Sequence, residues 1–538
     1  MPEDGARGGW QTVAPPLGVY TLRSDATSVP RPLYSKGMAP NHPAPLTAPA
    51  TPPDHLTRHP AYRAGLEWLY GLSPNVRTAA EIVADHPRKL PRMRALLDRL
   101  DRPDRAFASV LVAGTKGKGS TAAMLDSILR AAGRATGLYT QPHLLTWRER
   151  TKLGGYPIEL DEAADLFPIV RHAVEATERE RPDLGSLTTF EAGTALTFLA
   201  FANHGVELAV VEVGVGGAHD STNVLDPLVS AIASISHDHT ATLGTTLEAI
   251  AREKAGILRA GRPAVVGPQP AAALAVIEEL VAALDVPLER VGREWRWCST
   301  DDEPATGRFT VTGPGVRLDD LATPLVGRHQ RDNATLAVAA AWALLGVPPP
   351  NPPPSRGRAS ALPTRPALPF PLACRDDASH GVGKGPGDGD TLDRAIRAGL
   401  AAVEWPGRFQ ILQERPWLVV DGAHNDESAR RLAEAYRDVF GGRACHLVFG
   451  TSAGKDWGGM LDALLPLASS VTLTRSRHDR AIALAEAARA LDGRGIPTTV
   501  EPRVAGAVRR ALASAGPGDV VLVTGSLFVV GEAIEAAG

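Results

Sequence analysis

Short runs of apolar residues alternate along this chain with longer stretches in which apolar positions recur every three to four residues. Val110–Ala113, Leu208–Val213, Ala231–Ser236 and Ala264–Gly267 are of the first kind, and Thr121–Ala132 is of the second. A strand covered on both faces reads as one apolar run, and parallel neighbours need a helix to carry the chain back. The pattern therefore predicts an α/β domain with a parallel sheet. The same rhythm returns in WLVVDGAHN, HLVFGTS, SVTLTRS and DVVLVTGS, each followed by a stretch rich in Ala, Leu and Arg. That predicts a second, smaller α/β domain of Rossmann-like type.

Two segments break the rhythm. Residues 1–57 are crowded with proline, glycine and small polar residues and read as a disordered tail, and residues 348–390, with PPPNPPPSRGR and GVGKGPGDGD, read as a disordered insert. The glycines of the insert follow no apolar strand and are interrupted by proline, which argues against a phosphate loop there. The expected organisation is a larger domain over 58–347, an interdomain helix and linker over 391–407, and the smaller domain over 408–538.

Composition narrows the function. With 538 residues the chain is long enough for two cores and a cleft between them. Its 57 Lys plus Arg nearly balance 60 Asp plus Glu, so it has no general field for a polyanion, and neither nucleic acid nor a membrane is expected as a partner. Cys298, Cys374 and Cys445 form no CxxC pair, which suggests neither a disulfide framework nor a zinc cluster. With no apolar run of signal or spanning length, a cytoplasmic protein is expected.

The strongest chemistry lies in LVAGTKGKGSTAAMLDSILRAAG, where strand, glycine-rich turn and amphipathic helix follow in series. That order aims backbone N–H groups and a helix dipole at an anion. Gly114, Thr115, Lys116, Gly117, Lys118, Gly119, Ser120 and Thr121 are the nucleotide-binding candidates. Lys118 would neutralise phosphate charge, and a hydroxyl of Ser120 or Thr121 would reach magnesium. The spacing departs from the common phosphate-loop pattern: Val112 stands where the first glycine should be, and Gly119 separates Lys118 from Ser120.

Downstream, LAVVEVGVGG ends a strand on Glu212, at the carboxyl edge where parallel-sheet sites form. SHDHTATLGTTLEAIAREKAGIL supplies His239 and Lys254. Taken singly, such a glutamate is more often structural, and the histidine and lysine more often surface or core groups.

These segments together resemble the folylpolyglutamate synthase and dihydrofolate synthase family of the Mur ligase superfamily. The resemblance rests on GTKGKGS, EVGVGG, DHTATLGTTLEAIAREKAGI, HQRDNATLA, EWPGRFQIL, VVDGAHN and GSLFVVGE, which occur in family order. It implies magnesium ligands at Ser120, Gln141, Glu212 and His239, a carbamylated Lys254, and a nucleotide site completed by Asn333, Arg408 and Asp421. His424 would stand beside that site as a catalytic group, together with Lys118, Lys254 and His239. Arg150 and Ser526 would handle the amino acid, and Thr189, Phe190 and Glu191 the pterin or aminobenzoyl part. By residue type alone, Thr189–Glu191 is equally the start of an amphipathic core helix.

Three positions depart from the family pattern. Lys116 replaces an asparagine, Gln141 replaces the serine of TSPHL, and Ala218–His219 replaces Arg-Leu in GGRLDATNV. The resemblance implies a monomeric ligase that uses ATP and Mg2+ to join L-glutamate to a folate or dihydropteroate carboxylate. The alternative readings are another Mur-type amino-acid ligase and a nucleotide-binding regulator with little ligase activity.

Overall fold

The structure is a computed structural model and describes residues 54–72, 78–300, 307–346, 389–477 and 481–537. Apart from residues 54–57 and 389–390, the expected tail and insert lie outside the described residues. Asp54–Leu56 forms a 3-10 turn, and the Asp54 carboxylate accepts from Thr146 Oγ1, the Trp147 N–H and the Tyr62 hydroxyl.

The larger sheet comprises β1 (Ala108–Ala113), β2 (Thr136–Tyr139), β3 (Thr151–Leu153), β4 (Tyr156–Pro157), β5 (Leu208–Glu212), β6 (Val229–Ile232), β7 (Ala264–Val266) and β8 (Leu288–Arg290), in the order β4-β3-β2-β5-β1-β6-β7-β8. From β2 to β8 every pair is parallel, and β3–β4 is an antiparallel hairpin on one edge. Strand β1 shows why its apolar run is unbroken. Leu111 and Ala113 point into one core, with Met93, Phe198 and Ile250, while Val110 and Val112 point into the opposite core, with Leu125, Ile128 and Leu336.

A three-stranded antiparallel sheet follows, with β9 (Arg296–Ser299), β10 (Phe309–Gly313) and β11 (Val316–Leu321) in the order β11-β10-β9. Its polar alternation had given no strand signal. Among the described residues Cys445 is a buried free thiol.

The smaller sheet has β12 (Gln410–Glu414), β13 (Trp417–Asp421), β14 (Cys445–Phe449), β15 (Ala468–Arg475), β16 (Thr498–Arg503) and β17 (Val520–Thr524), ordered β12-β13-β17-β14-β15-β16. All its pairs are parallel except β12–β13. Layers of helices cover both faces, as the two separate clusters around Leu447 and Val448 record.

The described helix that leads into the smaller domain is anchored on the larger one. Helix Gly389–Ala401 packs against helix Lys118–Ala131, and a Cβ on Gly399 would stand 2.4 Å from the Ile128 Cα. Only glycine allows so close an approach, and Ser127 Oγ seals it by donating to the Gly399 carbonyl at 2.7 Å. Among the described residues no helix is long and apolar enough to cross a membrane.

Candidate active site

Helix Lys118–Ala131 begins at Gly117, which has φ +85° and offers no side-chain cap, so the first-turn N–H groups lack intrahelical acceptors. A Cβ on Gly117 would stand 2.3 Å from Asn333 Oδ1, which brings the candidate nucleotide helix Arg328–Leu345 directly onto the loop. The expected strand Ala231–Ser236 stops at Ile232, because the next residues turn to hold the loop in place. Ser234 O accepts from the N–H groups of Thr115 (2.8 Å) and Lys116 (3.2 Å), and the Thr115 hydroxyl donates to Ser236 O at 3.1 Å.

Around this cradle runs a cleft of about 700 Å³. Its walls include Gly114 to Ser120, Gln141, Phe190, Glu191, Glu212, His239, Lys254, Asn333, Arg408, Asp421 and His424, so the structure brings these candidates together. Four others stand off the wall. Thr121 lies buried behind the loop, Arg150 Nε donates to His143 Nδ1 at 3.0 Å, the Thr189 hydroxyl donates to Leu69 O at 2.9 Å, and Ser526 Oγ accepts from the Phe528 N–H at 3.3 Å.

The electrostatics of the wall follow from burial. Glu212 ends β5 with its carboxylate 3.9 Å from Lys118 Nζ and accepting from the Gln141 N–H at 3.1 Å; burial still pushes its pKa up. Lys254 Nζ donates to Gly114 O at 2.8 Å, and burial, reinforced by the Lys118 charge, lowers its pKa to about 7. Lys116, the residue that departs from the family loop, pairs with Asp238 at 2.9 Å, next to His239. From the smaller domain, Asp421 accepts from the Phe409 and Ala423 N–H groups at 2.8 Å each. Burial raises the Asp421 pKa against the pull of Arg408 and lowers that of Arg408, while the His424 imidazole is pushed down to about 4.

Three wall features escaped the sequence reading. Asp220 is buried and accepts from Thr222 Oγ1 at 2.6 Å and from the Val215 N–H at 3.1 Å. Trp405 lies so close to the loop that a Cβ on Gly119 would come within 2.7 Å of its ring. Its position just before Pro406–Gly407–Arg408 was the available signal. Glu191, expected at the acceptor, also makes a buried ion pair with Arg92 at 2.9 Å.

A site for a divalent cation can be tested on the polar atoms present. Gln141 Nε2 is buried without a hydrogen-bond partner, and the Glu212 carboxylate accepts from the Gln141 N–H and lies beside Ser120 of the loop. Turning the Gln141 amide would present its oxygen, so these groups fit a hard, oxygen-seeking ion next to the phosphates.

Two family profiles match the chain: the Mur ligase middle domain over residues 112–341 and the Mur ligase, glutamate ligase domain over 407–527. Cradle, cleft and both domains therefore define an ATP-dependent ligase of the Mur class. The dihydrofolate synthase/folylpolyglutamate synthase of Bacillus subtilis is 31% identical over 474 residues, covering 88% of this chain and 98% of that one. The structure of Mycobacterium tuberculosis folylpolyglutamate synthase complexed with ADP superposes with TM-score 0.74 at 29% identity, covering 89% of this chain and 98% of that chain. Escherichia coli FolC in complex with DHPP and ADP superposes with TM-score 0.69 at 28% identity, covering 88% and 97%. The chain belongs to the folylpolyglutamate synthase/dihydrofolate synthase family.

Proposed function

We propose that the cleft uses ATP to join L-glutamate to the carboxylate of a folate or of dihydropteroate. The observation that carries this reading is the meeting, in one cleft, of the phosphate cradle, the Glu212 carboxylate, the half-neutral Lys254 and the Arg408–Asp421 pair of the second domain. The relatives named above, one with ADP and one with DHPP and ADP bound, support the same substrates here.

The loop N–H groups and Lys118 bind and orient the triphosphate, with Asn333 at the nucleotide side. The acceptor carboxylate, held along the Phe190 and Glu191 wall, attacks the γ-phosphorus and displaces ADP, giving an acyl phosphate. The α-amine of glutamate then attacks the acyl carbon, and the tetrahedral intermediate collapses to amide and phosphate. Arg408 stabilises the phosphoryl charge from the far side of the cleft, and approach of the two domains excludes water from the acyl phosphate. Arg150 and Ser526 shape the amino-acid end, and Thr189 the acceptor end, from behind the wall.

Magnesium would be held by Glu212, His239, Gln141 and the Ser120 hydroxyl, and would supply charge neutralisation at the β- and γ-phosphates. A lysine amine with a pKa near 7 is substantially neutral at physiological pH and so open to carbon dioxide, which supports carbamylation of Lys254. The resulting carbamate would carry negative charge towards the cation. We assign the working unit as a monomer.

The test is release of ADP by the purified chain with ATP and magnesium. It is expected only when a pteroate or folate and glutamate are both present, and to fall by about 10²-fold or more in Lys118→Ala. ADP release indifferent to both acceptor and glutamate would overturn the ligase reading.

A further inference from the structure

Away from the phosphate cradle, another part of the cleft wall brings together three metal-ligating side chains from three separate elements. His86 comes from helix Ala79–Asp98, His219 from the loop after β5, and Glu253 from helix Leu247–Ala255. One ring nitrogen of each histidine and one carboxylate oxygen of Glu253 all lie within 4.8 Å of one another. His219 Nδ1 is 2.8 Å from Glu253 Oε1, and the two imidazoles stack with centroids 4.6 Å apart at 16°. We infer that His86, His219 and Glu253 form a binding site for a divalent transition metal of the zinc type, separate from the magnesium site beside the nucleotide.

Two imidazoles and a carboxylate are the donor set that zinc-type ions take in open sites. Bond lengths of about 2.0–2.2 Å put neighbouring donors roughly 3.3–3.5 Å apart in tetrahedral geometry, so the widest separation must close by about 1.5 Å while the His219–Glu253 contact opens by about 0.5 Å. All three residues are partly exposed, so the stacked rings have room to rotate out of parallel and aim their lone pairs at one point.

The backbone beneath the site is already clamped. The Ala218 N–H donates to Glu253 O at 2.8 Å, and Asn223 Nδ2 donates to Ala218 O and Gly256 O at 3.1 Å each. A Cβ on Gly256 would lie 2.4 Å from the Ala218 Cβ, so loop and helix are in full contact. Two of the three donors therefore cannot drift apart, which lowers the entropic cost of capturing an ion.

Magnesium is a poor fit, since it prefers oxygen ligands in octahedral geometry, whereas imidazole suits zinc, cobalt and nickel. Three protein donors leave one position open, and all three residues line the cleft, so that position takes water or an oxygen of the bound acceptor. Lys89, one turn beyond His86, is the cation that also lines this wall, and its long stem lets the ammonium swing away. His219 stands where the family resemblance leads one to expect leucine.

The test is a titration of the full chain with Co2+, without nucleotide and with magnesium in large excess, followed by visible ligand-field absorption. One equivalent of Co2+ is expected to give the bands, Zn2+ to displace it, and Glu212→Gln to leave it unchanged. His219→Leu and His86→Ala are each expected to weaken binding by about 10- to 100-fold or more, with far-UV circular dichroism confirming the fold of each. No bands, bands that survive both substitutions, or bands lost in Glu212→Gln would overturn the inference. Because no substrate is present, the outcome is independent of the ligase reading.

Discussion

Lys254→Met is expected to make the protein more stable and less active together. The amine is buried, only 4% exposed, and its pKa falls from the ordinary 10.5 to about 7 because burial and the Lys118 charge disfavour the ammonium. That difference of ~3.5, at about 1.36 kcal/mol each, corresponds to ~5 kcal/mol of destabilisation by the charged form. Methionine keeps most of the volume and loses the hydrogen bond to Gly114 O, worth about 1 kcal/mol. The balance predicts a variant more stable than the parent by a few kcal/mol at pH 6.

The sign with pH is fixed. The unfolded lysine holds its proton up to about 10.5 and the folded one only to about 7, so the parent gains stability as pH rises through that window. The gap between parent and variant should therefore be full below pH 7, shrink steadily, and close near pH 10.5. Guanidinium melts of both proteins at pH 6, 8 and 10, in bicarbonate-free buffer, measure it. A variant equal to or weaker than the parent at pH 6, or a gap that ignores pH, would refute the account of a penalised buried cation. Turnover by the variant at the parental rate would refute the catalytic role of Lys254.

Arg92→Leu is expected to cost about 3–5 kcal/mol in denaturant unfolding, because Arg92 is the shared counter-charge of buried Asp85 and Glu191, both at 2.9 Å. A loss below about 1 kcal/mol would show that the carboxylates find other partners. Gly117→Ala is expected to weaken ATP binding by about tenfold or more in calorimetry, since the new methyl meets Asn333 Oδ1 at 2.3 Å with the backbone at φ +85°. Unchanged affinity would mean that the loop does not carry the phosphates in this form.

Local patterns carried much of this site into the sequence. β1 and the turn after it were legible because an apolar run, glycines and a lysine occur within a dozen residues. β5, β7, β13, β14 and β17 were legible from their unbroken apolar runs. By contrast, β2, with the sequence TGLY, and β16, with TTVEPR, have little apolar signal, and their neighbours in the sheet make them strands. The overrun of β6 past Ile232 has a physical cause: Ala233–Ser236 is apolar enough to read as strand, yet its carbonyls serve the phosphate loop. Asp220 and the His86–His219–Glu253 group were not legible, because each depends on segments distant in sequence being folded together. Arg150, Thr189 and Ser526 lie close in sequence to wall residues, but their side chains bond away from the cleft.

The close seating of Gly399 on Ile128 also constrains how the protein can move. Because helix Gly389–Ala401 is held on helix Lys118–Ala131, only residues 402–407 link it to Arg408. Trp405 sits within that link and touches the phosphate loop, and Arg408 follows directly after it. A small rotation there would move Arg408 relative to the loop, so that closing the cleft and repositioning its charge would be one motion.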